Sequence, residues 1–500
     1  RYCLNAQLME HGTMLLATGK SAALRNRYWI EPMTEPDISQ EAQIDVPLPQ
    51  YKGPWPSWLY PELPREARDW SFGGDKSFGE ENGDRKLLLG ELDRLTKRQL
   101  WKWPKRPVLF FSDLHADRKA FVASLVASGA VRRTGPSVMN FRLTKLGRQA
   151  TFIIGGDCFD KGPHNLKLLR AVRCLIELDA RVRILAGNHD VRNLLGMRAV
   201  SADVDHRNDH FFLRLGPKVV PLLVEIRDSY LSGRDALANI PDEDECRRRL
   251  LPDDGWFDAF PKIAADHLPD KQIEIELKRI GKKLTSFEPA CREAGLTMRY
   301  VYAAVMKWRE MFLAPDGEFS WFFKRMRLGY HVGSFMFVHA GFDDEMAELL
   351  HADGVKALNR KFRDALFGEP FDLYYGPIAN TIRTKYRSID LRLGREGVDK
   401  LHEGGIHAVI HGHRNLLDGQ RIMLRRGLIN FECDSTVDQH SRQKEGLTGS
   451  GAAVTVVHPE GYILGISTDF PYAKAFEPKR TLSALSEALK LEEKGGKTDR

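Results

Sequence analysis

The sequence predicts an α/β protein with a largely parallel sheet and a helical insertion that caps it. Three observations predict this class. Short apolar runs alternate with segments of helical spacing, the signature of strands joined by crossover helices. Each run closes on a polar cluster rich in Gly, Asp, Asn and His. A long charge-rich stretch, 193–330, separates the third run from the fourth.

Residues 1–105 read as an N-terminal extension with a Pro/Trp-rich strap. Six prolines fall between Pro47 and Pro64, which excludes regular helix and central strand there. Trp55, Trp58, Tyr60 and Trp70 are its expected hydrophobic anchors. Gly19-Lys20-Ser21 resembles the end of a phosphate loop, but Met14 stands where the first Gly belongs, so nucleoside-triphosphate binding is not expected. Leu87, Leu88, Leu92, Leu95 and Leu100 predict a helix over 86–103.

At residue 106 the texture changes. Val108–Phe111 runs into Ser112-Asp113-Leu114-His115, and a helix is expected over 117–128. Thr151–Ile154 runs into Gly155-Gly156-Asp157, with a helix over 166–178. Val182–Leu185 leads to Gly187-Asn188-His189-Asp190. Late in the chain, Ser334–Val338 leads to His339-Ala340-Gly341, and Ala408–Ile410 to His411-Gly412-His413. The segments 452–457 and 462–466 alternate as strands. The catalytic domain is therefore set at 106–475, interrupted by a helical cap over 200–330, and 476–500 is a charged C-terminal tail. Within the cap, 272–280 and 300–312 have helical spacing.

Composition narrows the function. The 500 residues are 42% hydrophobic and carry a net charge of +7, a mild bias without a dense basic stripe. Nucleic acid is therefore not an expected partner. No apolar stretch is long enough to span a membrane, and no signal pattern is read at the start. Six scattered Cys without a CxxC pair fit neither a disulfide framework nor a cysteine zinc site. A reducing cytoplasm is the expected location.

The strand-end clusters supply Asp113, His115, Asp157, Asn188, His339 and His413. Oxygen and imidazole donors without thiolate suit Mn, Fe or Zn better than Ca. Their number fits two ions, with one carboxylate bridging both. Two such ions clamp a phosphoryl group and lower the pKa of a water.

In this order, Asp-x-His, Gly-Asp-x-x-Asp-x-Gly, Gly-Asn-His-Asp, His-Ala-Gly and Gly-His resemble the motifs of calcineurin-like metallophosphoesterases, spanning residues 113–413. The His-Ala-Gly form is most similar to the branch of phosphoprotein phosphatases and diadenosine tetraphosphatases. The resemblance implies the metallophosphoesterase fold, a four-layer-type β-sandwich flanked by helices. It implies that Asp113 and His115 ligate one metal, that Asp157 bridges, and that Asn188, His339 and His413 ligate the other. His189 would be the general acid, with Asp160 orienting it and keeping it charged. A hydroxide bridging two divalent ions, Mn first with Fe or Zn as alternatives, would attack phosphorus in line.

Three departures stand out. Lys161 occupies the usual place of an Arg, giving a point charge where a fork is expected. Asn415 replaces a final His, so His413 is taken as the ligand and His411 as a supporting residue behind it. Arg383 and Arg387 are the candidates for a further phosphate-binding Arg, undistinguished by spacing. The implied function is metal-dependent hydrolysis of a phosphate monoester, with phosphoproteins among its substrates. The alternative is a nucleotide pyrophosphohydrolase of the diadenosine tetraphosphatase type. For either, the cap aromatics Trp308, Phe312, Trp321, Phe322 and Phe323, with Lys324, Arg325 and Arg327, are candidate recognition residues. A non-enzyme scaffold is a third reading, opposed by the intact ligand set.

Overall fold

The computed structural model describes residues 44–49, 51, 57–70, 85–200, 206–233, 235–387 and 389–495. Gly19-Lys20-Ser21, Trp55 and the last five residues lie outside the described residues.

Among the described residues, fifteen strands form three sheets. They are β1 (Ala67–Asp69), β2 (Val108–Phe111), β3 (Val131–Arg133), β4 (Phe141–Leu143) and β5 (Thr151–Ile154). Next come β6 (Arg181–Leu185), β7 (Met326–Arg327), β8 (Gly329–Val332), β9 (Phe335–Val338) and β10 (Ala408–His411). The last are β11 (Arg421–Arg425), β12 (Leu428–Glu432), β13 (Ala453–His458), β14 (Tyr462–Ser467) and β15 (Ala473–Phe476). The large sheet has the order β1-β15-β14-β13-β2-β5-β6-β7, and the second has β11-β12-β10-β9-β8. β3 and β4 form a separate hairpin. The neighbours β2, β5 and β6 are parallel, as are β9, β10 and β12.

The two large sheets pack face to face. Alternation along β2 shows how: Val108 and Phe110 join the inter-sheet core, where Phe110 meets Phe337 at 5.8 Å. Leu109 and Phe111 point to the helical side, where Phe111 meets Phe121 at 6.3 Å. A period of two on a strand buried on both faces makes every residue apolar, which is why these runs were readable as runs. Helices Arg118–Ala127 and Asn165–Glu177 cover the outer face, and the first is capped by the Asp117 side chain on the Ala120 amide. The result is an α/β sandwich flanked by helices, the expected fold class.

Parts of the N-terminal segment are built into this core. β1 is the edge strand of the large sheet, parallel to β15, and Trp70 is buried against Phe431 at 5.2 Å. Trp58, expected as an anchor, is instead exposed. The predicted helix over 86–103 ends at Lys97, because Gln99 turns left-handed and the chain then runs extended to lay Trp101 and Trp103 on Phe335. The charged tail forms helix Pro478–Gly495, with Leu485 buried beside Leu88 and Leu92 of helix Arg85–Lys97. A boundary at 105 thus cuts through interlocked elements.

Between β6 and β7 the chain is helical, in helices that include Val220–Tyr230, Asp254–Ala264, Asp270–Glu293 and Met298–Leu313. Ile273, Ile280 and Phe287 recur at heptad spacing and form the buried stripe of the third. The insertion ends before 330, since β7 pairs with β6 in the large sheet. No described helix is long and apolar enough to cross a membrane.

Candidate active site

The C-terminal ends of β2, β5 and β6 in one sheet, and of β9 and β10 in the other, open on one cavity of about 1540 Å³. Parallel strands bring their following loops to the same edge, so polar residues far apart in sequence meet there.

The loops are tightly bent. Asp113, His115, Asp157, Asp160, Lys161 and His413 all have φ between 40° and 69°, a left-handed conformation that costs non-glycine residues free energy. Such a concentration marks a functional site. Two glycines permit the closest approaches. Gly156 has φ +92°, and a Cβ on it would collide with the Gly187 backbone and with His339 Nδ1. A Cβ on Gly412 would collide with Ser112 Oγ and Asp113 Oδ2.

Asp157 is the centre of the cluster. Its Oδ2 lies 3.5 Å from His339 Nε2, 3.9 Å from His115 Nε2 and 3.9 Å from His189 Nε2. Asp113 Oδ1 lies 3.9 Å from His115 Nε2, and Asp113 Oδ2 accepts the His413 N–H at 2.9 Å. Two groups have ligand atoms within 4.8 Å of one another: His115, Asp157 and His189, and Asp157, His339 and His413. The second contains the expected bridging Asp157 with His339 and His413, two of the three residues expected at the second ion. The first has His189 where Asp113 was expected, although Asp113 borders the same histidine.

The remote nitrogen of each expected histidine ligand is held by a backbone carbonyl. His115 Nδ1 bonds Phe159 O at 3.2 Å, His339 Nδ1 bonds Gly155 O at 2.8 Å, and His413 Nε2 bonds Arg383 O at 3.0 Å. That fixes the tautomer and aims the other lone pair into the cluster. The Asn188 side-chain oxygen faces only acceptors: His413 Nδ1 at 2.9 Å, His339 Nε2 at 3.2 Å and Asp157 Oδ2 at 3.3 Å. Either the amide turns its NH₂ toward them or a cation sits among them. Four converging acceptors, two of them imidazole lone pairs, fit a divalent metal of the Mn, Fe or Zn kind. Burial pulls the His115 pKa down to about 3, keeping it a neutral donor. Burial also opposes charge on His339, but Asp157 and Asp113 outweigh it and raise that imidazole to about 10. A cation there would displace its proton.

His189 and Asp160 form a dyad. His189 Nδ1 lies 2.6 Å from Asp160 Oδ2, and Asn193 Nδ2 donates to the other oxygen at 3.0 Å. Burial and the neighbouring Arg192 pull the His189 pKa well below its usual value, while burial raises that of Asp160. Burial thus works against the charge expected on the imidazole, while the short contact to Asp160 orients the ring.

Sequence reasoning missed Asp190. Its buried carboxylate accepts the N–H groups of Asp157, Cys158, Phe159 and Gly187 at 2.8–3.3 Å, tying two ligand loops together. Burial and Asp157 raise its pKa to about 7. Also missed was Arg192, one helical turn after Asn188, whose Nε donates to the Asn188 carbonyl. Its i+4 spacing was the available signal.

Lys161 and Arg383 border the cavity. Arg383 donates to Tyr374 O and lies over the Tyr374 ring. Arg387, also on the rim, is turned to Asp390 at 3.3 Å. His411 is buried with Nδ1 at 3.0 Å from Gly412 O and belongs to neither ligand group. Asn415 lines the cavity. Of the cap aromatics, Trp308, Phe312, Phe322 and Phe323 are buried in the core, where Phe159 meets the last three at 5.6–6.2 Å. They pack rather than face the cavity, where the aromatic residues are Tyr374 and Tyr375.

Residues 106–277 match the family model Calcineurin-like phosphoesterase. The match ends before His339 and His413. Among solved structures, the chain is similar to a cold-active protein-tyrosine phosphatase of a psychrophilic Shewanella, at 12% identity and TM-score 0.38 over 74% of this chain and 80% of that one. It is also similar to a protein serine/threonine phosphatase from Saccharomyces cerevisiae, at 11% identity and TM-score 0.34 over 79% and 90%. No curated protein matches the chain.

Proposed function

We propose that the protein is a two-metal phosphomonoesterase. The observation that carries the reading is the Asp157 carboxylate shared by two histidine groups, with the His189–Asp160 dyad beside it. Asp113 and His115 would hold one ion and Asn188, His339 and His413 the other, with Asp157 between them. Two such ions, Mn first and Fe or Zn as alternatives, supply a clamp for phosphoryl oxygens and a water of lowered pKa.

The chain's own residues do the rest. Lys161 and Arg383 face the phosphate from the cavity wall. His189 presents Nε2–H to the leaving oxygen. Asp160 orients the ring from Nδ1 while the Nε2 proton passes to the leaving oxygen. The cap aromatics Trp308, Phe312, Phe322 and Phe323 are buried, which leaves Tyr374 and Tyr375 as the aromatic side chains facing a substrate. Five free, buried cysteines among the described residues support a reducing compartment, the cytoplasm.

The test is hydrolysis of an aryl phosphate beside diadenosine tetraphosphate, after chelation and return of Mn²⁺. Metal-dependent, faster monoester cleavage is expected. Preference for the dinucleotide would overturn the monoester reading.

A further inference from the structure

Cations exceed anions strongly in the cavity. Thirteen Lys and Arg line it against five Asp and Glu. Two of the five are Asp113 and Asp157. Glu276 is engaged by Arg214, and Asp390 by Arg387.

Three of the cations are not themselves expected metal ligands. Arg192 follows Asn188 by one turn on helix Asn188–Ala199. Lys218 lies on the turn Gly216–Val219 and is open to the cavity. Lys283 comes from helix Asp270–Glu293, lies over Gly216 and donates to Arg214 O. None forms an ion pair within 4 Å of a carboxylate among the described residues; the buried Asp160 is the nearby acid that acts on all three. Burial, then Arg192, Arg214 and Lys218, lower the Lys283 pKa to about 7, and burial and Arg192 lower that of Lys218. Gathering unpaired like charges is unfavourable unless an anion joins them. One phosphoryl group at the metal cluster leaves most of the cavity unfilled.

We propose that Arg192, Lys218 and Lys283 form a second phosphate site, so that the substrate is a small organic bisphosphate. The inference rests on the phosphomonoesterase reading for the place of the first phosphate. Arg192 would fork onto two oxygens while the lysines act as point charges. The cap would then select by charge rather than by aromatic stacking.

Calorimetric binding of fructose 6-phosphate and fructose 1,6-bisphosphate to the metal-stripped full chain tests this, at constant salt of about 0.15 M. The bisphosphate is expected to bind at least ~10-fold tighter. Lys218→Met and Lys283→Met should each bring the ratio below about 3, and Lys283→Arg should retain it. Lys218, being exposed, carries the test if Lys283→Met does not fold. Equal binding of the two sugars by the unaltered protein, or a ratio kept in the Met variants, overturns the proposal. Aryl phosphate turnover after Mn²⁺ return is read separately. Turnover without the binding preference sinks this inference alone, and preference without turnover sinks the catalytic reading alone.

Discussion

Asp160 holds His189 by a 2.6 Å contact to Nδ1, with Nε2 left 3.9 Å from Asp157. The imidazole is thus oriented from behind and offered to the cluster from the front. His189→Ala should lower kcat by ~10²–10⁴ for an alkyl phosphate, the usual worth of a positioned acid. The loss should be smaller for p-nitrophenyl phosphate, whose leaving group needs less protonation. Equal losses on both would deny His189 the acid role.

Metal content separates acid from ligand. The His189→Ala protein should retain both ions, while Asp157→Asn should lose most of its metal. Elemental analysis after dialysis against Mn²⁺ decides. A His189→Ala protein that loses one ion would make His189 a ligand, as the group His115, Asp157 and His189 permits.

Asp190→Asn should cost about 2–3 kcal/mol in chemical denaturation, because four buried amides lose part of a charged acceptor. Metal affinity should fall with it, since one of those amides is that of Asp157 itself and two belong to the residues that follow it. A fully stable, metal-replete variant would contradict this role.

Gly412→Ala should displace Asp113 and Ser112 and weaken metal binding at least ~10-fold, the scale of losses around a ligand shell. Circular dichroism should remain near that of the unaltered protein.

Glu432 anchors the chain beyond His413 by pairing with Arg414, Arg421 and Arg425. Burial pushes its pKa up, but Arg425, His411, Arg414 and Arg421 outweigh it and leave it at about 2. A folded value below the ordinary ~4.3 stabilises fully above that pH and is lost as pH falls toward 2. Glu432→Gln should therefore destabilise by ~3 kcal/mol at pH 7 and flatten the acid limb between about pH 4.5 and 2. Urea unfolding across pH reads both.

The strands that carry the proposed ligands were legible because their apolar runs are local and end on the residues they position. Phe110-Phe111-Ser112-Asp113 announces strand and site together. Asp190 was not legible, since an acid in the first turn of a helix reads as a cap, and three of its four amides come from a loop some thirty residues earlier. Arg192, Lys218 and Lys283 meet only after the cap has packed. Trp308 and Phe322 showed the opposite failure: an aromatic side chain announces burial or binding with the same letter, and only packing decides.

The place of β2 in its sheet has a consequence for biosynthesis. One flank pairs with β5, close in the chain, but the other waits for β13 near the far end. While the ribosome is still adding those residues, the strand leading to Asp113 keeps a bare edge, open to the wrong neighbour. Truncation before residue 453 would spare every proposed ligand and still leave that edge bare. Such a fragment would carry the chemistry in its sequence and precipitate before performing it.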